Sequence, residues 1–185
     1  KPNTRLAFDG TYVSTVQHDD EWDLLIDTEC VSQANVSATI RHTLKDSQDE
    51  IVSSGEDTFS YENHNVNKQT IHVKCPAIWD IDSPNLYTLT TELIVGGKVL
   101  DAITQRVCFR TIAFDSNQGF LLNGRHVKIH GVCLHHDLGS LGAAVNKEAI
   151  RRQIQSMQNM GVNSIRTAHN MPSVELMDLA DEMGV

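Results

Sequence analysis

His126-Val-Lys-Ile-His-Gly-Val-Cys-Leu-His135-His136-Asp137 and Val162-Asn-Ser-Ile-Arg166-Thr-Ala-His169 read as two buried parallel strands, each apolar through its body and each ending in charged or imidazole groups. Between them Asn146 can cap a helix whose Ile150, Ile154 and Met157 recur at helical spacing, and Gly161 offers a left-handed stop. Two such strands joined by a helix make a βαβ unit. In a (β/α)8 barrel the C-terminal strand ends form the active face, so polar groups gathered there point to chemistry. A second helix is expected from near Pro172, with Val174, Leu176, Met177, Leu179, Ala180 and Met183, and it should end at Gly184. The chain reaches Val185 far short of eight such units, so it is expected to be a piece of a longer parent.

Upstream the period changes to two. Thr11–Val16, Trp22–Cys30, Val36–Leu44, Gln69–Lys74, Tyr87–Val95 and Val99–Val107 are short runs rich in Val, Ile and Thr. Polar turns are expected between them at Asp46-Ser-Gln-Asp, Asn63-His-Asn-Val-Asn and Gly96-Gly97. Six or seven strands at this spacing predict an all-β, immunoglobulin-like sandwich, without the Cys-Trp-Cys signature of antibody domains. Phe120-Leu-Leu-Asn123-Gly124-Arg then holds an Asn-Gly pair between apolar flanks, a strong hairpin signal. The expected division is a sandwich over 1–113 and, over 114–185, the opening of an incomplete barrel: a hairpin, then βαβα.

Composition narrows the partners. A formal charge of −9, from 15 basic and 24 acidic residues with no basic run, excludes a nucleic-acid surface. No apolar run approaches the ~20 residues that span a bilayer, and Lys1-Pro-Asn-Thr-Arg lacks the apolar core of a signal peptide, which leaves the compartment open. Cys30, Cys75, Cys108 and Cys133 are widely spaced and read as small core fillers. His18, His42, His64 and His72 read as surface or edge residues of the sandwich.

The strand ends supply the candidate site: His135, His136 and Asp137 on one strand, Arg166, His169 and Asn170 on the next. Neighbouring strands lie about 4.8 Å apart, so these ends share one rim. Imidazoles and a carboxylate can hydrogen-bond sugar hydroxyls, and an arginine can hold a carboxylate in place by bidentate bonding. His135, His136, Asp137 and His169 are also metal-ligand types. Adjacent strand residues point to opposite faces, however, and no HxxxH spacing joins the histidines, so neither metal nor cofactor is expected.

Ser83-Pro-Asn-Leu-Tyr87, Phe109-Arg110-Thr111-Ile112, Gly119-Phe-Leu-Leu-Asn-Gly124, Lys128-Ile-His-Gly-Val-Cys-Leu-His135-His136-Asp137 and Asn163-Ser-Ile-Arg166-Thr-Ala-His169-Asn170 resemble glycoside hydrolase family 2, in its β-galactosidase-like form. The resemblance is dense from about Trp79 onward. It implies a retaining glycosidase with a jelly roll before this segment, the immunoglobulin-like domain here, and a catalytic barrel starting near Phe120. By position, His135 and His169 resemble the family's substrate-pocket histidines, Asp137 a polar residue of the glycone site, and Arg166 the arginine that supports the nucleophile. His136 and Asn170 join the expected substrate-binding set. Cys108 and Met171 depart from the family pattern, at a turn and a loop.

Retaining hydrolysis needs two carboxyl groups about 5–5.5 Å apart. The resemblance places them on later barrel strands, the acid/base in an Asn-Glu pair, and this chain contains no Asn-Glu dipeptide. Asp178, Asp181 and Glu182 fall on the second helix and read as its solvated face. The expectation is therefore a fragment of an enzyme cleaving terminal β-glycosidic bonds, β-galactosides first, inactive by itself. The expected partner is the parent enzyme's carbohydrate substrate, and the chain should self-associate or fold back through the open edges of its unfinished barrel. The competing reading is a non-catalytic sandwich that binds carbohydrate or acts as a spacer, with Trp22 and Trp79 as stacking platforms.

Overall fold

A computed structural model describes residues 3–185. Its contacts divide into two compact units, one made of the chain up to Ala77 together with Leu86–Phe109, the other of Ile78–Asn85 together with Arg110–Val185.

The first unit is built on one long hairpin. Strand β1 (Thr4–His18) pairs antiparallel with the first half of β2 (Glu21–Lys45), while β3 (Ile51–Lys74) follows β2 along its whole length. The second half of β2 pairs with β6 (Tyr87–Val95), which pairs with β7 (Lys98–Val107) across the Gly96-Gly97 turn. Both glycines are left-handed there, as a two-residue hairpin requires. A register shift between Ser32 and Val36 breaks β2 into two halves. Trp22, Leu24 and Ile26 from one half join Leu44 from the other in a single buried cluster with Leu89 and Phe109, so the bent hairpin closes a core as a sandwich does. The immunoglobulin-like expectation holds, with one correction in the strand list. Trp22–Cys30 and Val36–Leu44 are one strand, and Asn63–Asn67 lies inside β3 instead of forming a turn. Asn63 takes a left-handed φ of 63°, and its register partner is Ser32, at the shift in β2. Its signal thus marks a bulge that the sequence alone presents as a turn.

Alternation in β2 carries a second correction. Ala38, Ile40, His42 and Leu44 all face inward, so His42 is fully buried, with Nδ1 2.9 Å from the Thr91 hydroxyl and Nε2 unpartnered. Burial pushes its pKa down to about 4. His18, His64 and His72 are exposed and pair with Asp23 or Glu29. Cys30 alone of the cysteines is a fully buried core residue, its thiol pushed up to about 12 by burial; Cys75 and Cys133 are exposed. Trp22 and Trp79 are both buried, which removes them as platforms for a sugar ring.

In the second unit, β4 (Trp79–Asp80) pairs with β5 (Ser83–Pro84), and β8 (Ile112–Asp115), β9 (Gly119–Leu122) and β10 (Arg125–His126) form a three-stranded antiparallel sheet. Asn123 and Gly124 make the β9–β10 turn with φ values of 52° and 73°. Asn123 does more than turn. Its Oδ1 accepts from Thr111 N at 3.0 Å and its Nδ2 donates to Trp79 O at 2.9 Å, binding the hairpin to β4. The Trp79 indole donates to Asp181 O, and the Arg110 guanidinium stacks over its ring at 4.4 Å while reaching Asp181 at 3.3 Å.

Strand β11 (Gly131–His135) lies parallel to β12 (Ser164–Ala168), with helices α1 (Lys147–Asn159) and α2 (Val174–Met183) on one face. Asn146 caps α1 by accepting from Ala149 N, and Ser173 caps α2 by accepting from Leu176 N. Ile150, Ile154, Leu176 and Leu179 form the core, with Leu134 and Ile165 of the strands packed on it. Left-handed Gly184 closes α2, and a Cβ there would meet Ile81 O at 2.1 Å. Asp181 and Glu182 are not a solvated face: Glu182 receives Lys147 and Arg151, and Asp181 holds the Trp79–Arg110 stack.

Candidate functional site: the rim of the parallel strand pair

Register decides what the rim contains. Asn163 fastens one end of the pair, its Oδ1 accepting from His130 N at 2.8 Å and its Nδ2 donating to Lys128 O at 3.0 Å. From that clamp Gly131 lies opposite Ser164, Cys133 opposite Arg166 and His135 opposite Ala168. His169 therefore follows His135 at the same end of the pair, and the two rings meet edge to face with centroids 6.1 Å apart.

Because Leu134 and Ile165 turn toward the helices, Cys133, His135 and Arg166 occupy the opposite face. Arg166 Nη2 lies 3.3 Å from His169 Nδ1, and Nη1 donates to Cys133 Sγ at 3.7 Å. Four side chains thus form one connected group: Cys133, Arg166, His169 and His135. Their face is open in this chain, for all four are exposed and no residue of β11 is fully buried, unlike the buried strands expected from the apolar run.

The remaining candidates sit apart from that group. His136 turns aside, its Nε2 2.9 Å from Ala143 O. Asp137 Oδ1 accepts from Gly139 N at 2.7 Å, in the loop that leads into the 3-10 turn Gly139–Leu141. With Asn170 they line a cavity of about 170 Å³ between the strand ends and the first turns of the helices, which His135 also reaches. Cys133, the sulfur that seats Arg166, is exposed on this face and is not the core filler that its residue type suggests. Its signal was available, since period two puts residue 133 on the face of residue 135. Among the described residues no three or more His, Cys, Asp or Glu are grouped to hold a metal ion, and no helix is long and apolar enough to cross a membrane.

Comparison with known proteins agrees with both units. The model of glycosyl hydrolases family 2 matches residues 6–110, and that of the family's TIM barrel domain matches residues 115–185. The β-galactosidase BoGH2A of Bacteroides ovatus is 44% identical over 182 residues, which cover 95% of this chain and 21% of that protein. A β-glucuronidase of Bacteroides fragilis is 34% identical over 61% of the chain and 16% of its own length. The chain thus spans about a fifth of the length of such curated relatives. Among solved structures, a glycosyl hydrolase family 2 member from Bacteroides cellulosilyticus superimposes with a TM-score of 0.94 at 28% identity, over 98% of this chain and 24% of that one. A β-glycosidase from Bacteroides vulgatus does so with a TM-score of 0.89 at 31% identity, over 99% and 23%. With its sandwich and the opening strands of its barrel both matched, this chain belongs to glycosyl hydrolases family 2.

Proposed function

We propose that this chain supplies part of the sugar-binding rim of a retaining β-glycosidase, with β-galactosides as the first substrate class. The observation that carries the proposal is the edge-to-face pair of His135 and His169 at one end of the parallel strands, with Arg166 beside it. Imidazole N–H groups and lone pairs suit the hydroxyls of a pyranose, and the guanidinium keeps further N–H donors that can hold a carboxylate contributed by a later strand. His136, Asp137 and Asn170 shape the strand-end loops around that rim. A β-galactosidase that is 44% identical over 95% of the chain supports galactosides as the first class to test.

The chain alone binds without turning over, because the carboxyl pair of a retaining mechanism would come from strands beyond these two. Its open strand edges and exposed Ile112, Phe114 and Ile129 favour association with a second copy. The test is calorimetric titration with methyl β-galactoside and methyl β-glucuronide on wild type, His135→Ala and His169→Ala. Weak binding of the galactoside, lost in both variants, is expected. Binding unaffected by either change would overturn the assignment, and nitrophenyl galactoside hydrolysis that disappears in His135→Ala would overturn the inactivity of the chain alone. Light scattering checks association, and a strict monomer at high concentration would refute it.

A further inference from the structure

We propose that Arg166 is a positioning residue for His169, fixing its imidazole in the tautomer that carries the proton on Nε2. An arginine side chain has five N–H donors, no acceptor, and a charge it does not lose. The 3.3 Å approach of Arg166 Nη2 to His169 Nδ1 is therefore a hydrogen bond only when Nδ1 presents its lone pair. A neutral imidazole with a bare Nδ1 has its proton on Nε2. Either alternative, the Nδ1–H tautomer or the imidazolium, would point one N–H at another.

Two contacts make this an arrangement and not a passing approach. The guanidinium is anchored from its other side by Cys133 Sγ at 3.7 Å, on the residue paired with Arg166 in the strand register. The His169 ring is held by His135, edge to face at an interplanar angle of 85°. Cys133 seats the arginine, the arginine chooses the tautomer, and His135 sets the plane of the ring. His169 then acts as a donor, its Nε2–H directed to a lone pair of a substrate oxygen. A sugar hydroxyl bound there must send its own proton to another acceptor, which distinguishes one hydroxyl orientation from the other. This last step rests on the sugar-binding reading above; the tautomer does not.

The experiment is a long-range proton–nitrogen correlation of the imidazoles in the nitrogen-15-labelled chain at neutral pH. Wild type should show His169 as a single tautomer, with unprotonated Nδ1 far downfield of protonated Nε2. In Arg166→Met the separation of the two nitrogen shifts should shrink toward that of a freely exchanging imidazole. His136, bonded to Ala143 O, is the internal control and should stay unmoved. Cys133→Ala should shrink the separation in the same direction by less, and it decides the matter if Arg166→Met does not fold. An Nδ1–H tautomer in wild type, or a separation unchanged in both variants, overturns the proposal. Titration with methyl β-galactoside separates the two ideas: a fixed tautomer whose shifts ignore the sugar keeps Arg166 in this role and removes the saccharide from the rim.

Discussion

Replacing Asn123 by Ala should destabilise the second unit by about 2–4 kcal/mol, from two sources that can be measured apart. The amide makes two well-formed bonds, to Thr111 N and to Trp79 O, with a longer third at 3.4 Å to Asp80 Oδ2. At roughly 0.5–1.5 kcal/mol net apiece, losing the two short ones costs about 1–3 kcal/mol. The residue also holds φ at 52°, where an alanine Cβ costs about 1 kcal/mol more than asparagine or glycine. Asn123→Gly removes the bonds without the strain, so it should fall about 1 kcal/mol short of the alanine loss. The assay is urea unfolding followed by tryptophan emission in a Trp22→Phe background, which leaves buried Trp79 as the only indole and makes the signal specific to its unit. An alanine variant within about 0.5 kcal/mol of its parent would refute the argument, because the turn would then be only a turn. Equal losses for alanine and glycine would refute the strain component alone.

Burial of His42 makes stability depend on pH. Its folded pKa of about 4 lies below the ordinary 6.5, so the unfolded chain binds the proton first and stability should decline by up to about 3 kcal/mol as pH falls from 6.5 to 4. His42→Leu should flatten that window in acid-titrated unfolding; an equally steep decline in the variant would exclude His42 as its source. Thiol titration should find Cys75 and Cys133 reactive at once and Cys30 only on unfolding, and prompt modification of all four would contradict the buried Cys30. Leu179→Ala, at a fully buried position in the helix core, should cost about 2–5 kcal/mol in the same urea assay. Gly184→Ala should be more damaging than a helix-end change usually is, because its Cβ would strike the Ile81 carbonyl; a neutral result would show that the helix end gives way freely.

Much of this architecture was readable where one residue type has one use. Gly96-Gly97, Asn123-Gly124, Asn146, Gly161 and Gly184 each mark a turn, cap or stop that side-chain chemistry dictates, and all five stand where expected. The parallel pair and its shared rim followed from apolar runs of strand length separated by a capped helix. What was missed depends on partners distant in sequence. Asn63 carries a turn signal yet sits in a bulge, because the long β2–β3 ladder continues past it. His42 reads as a surface residue from its type, although its alternation with Ile40 and Leu44 turns it inward. Asp137 Oδ1 also takes a backbone N–H two residues on, a local bond that its place on the rim does not announce. Period two places Cys133 on the face of His135, but only the register with Arg166 gives its sulfur a partner.

Trp79, Asp80 and Ile81 belong to the second unit but are enclosed in sequence by strands of the first, so the polypeptide passes from one unit to the other three times, after Ala77, Asn85 and Phe109. A shortened gene product ending at Phe109 would keep this loop and lose everything it packs with. The indole would surrender Asp181 and the cation over its ring, and the Trp79 carbonyl would surrender Asn123. Such a product would carry a wetted tryptophan and stray backbone groups on an otherwise finished sandwich. These two modules cannot be parted by a single scission, and a recombination point that respects both must move the Ile78–Asn85 excursion along with the barrel.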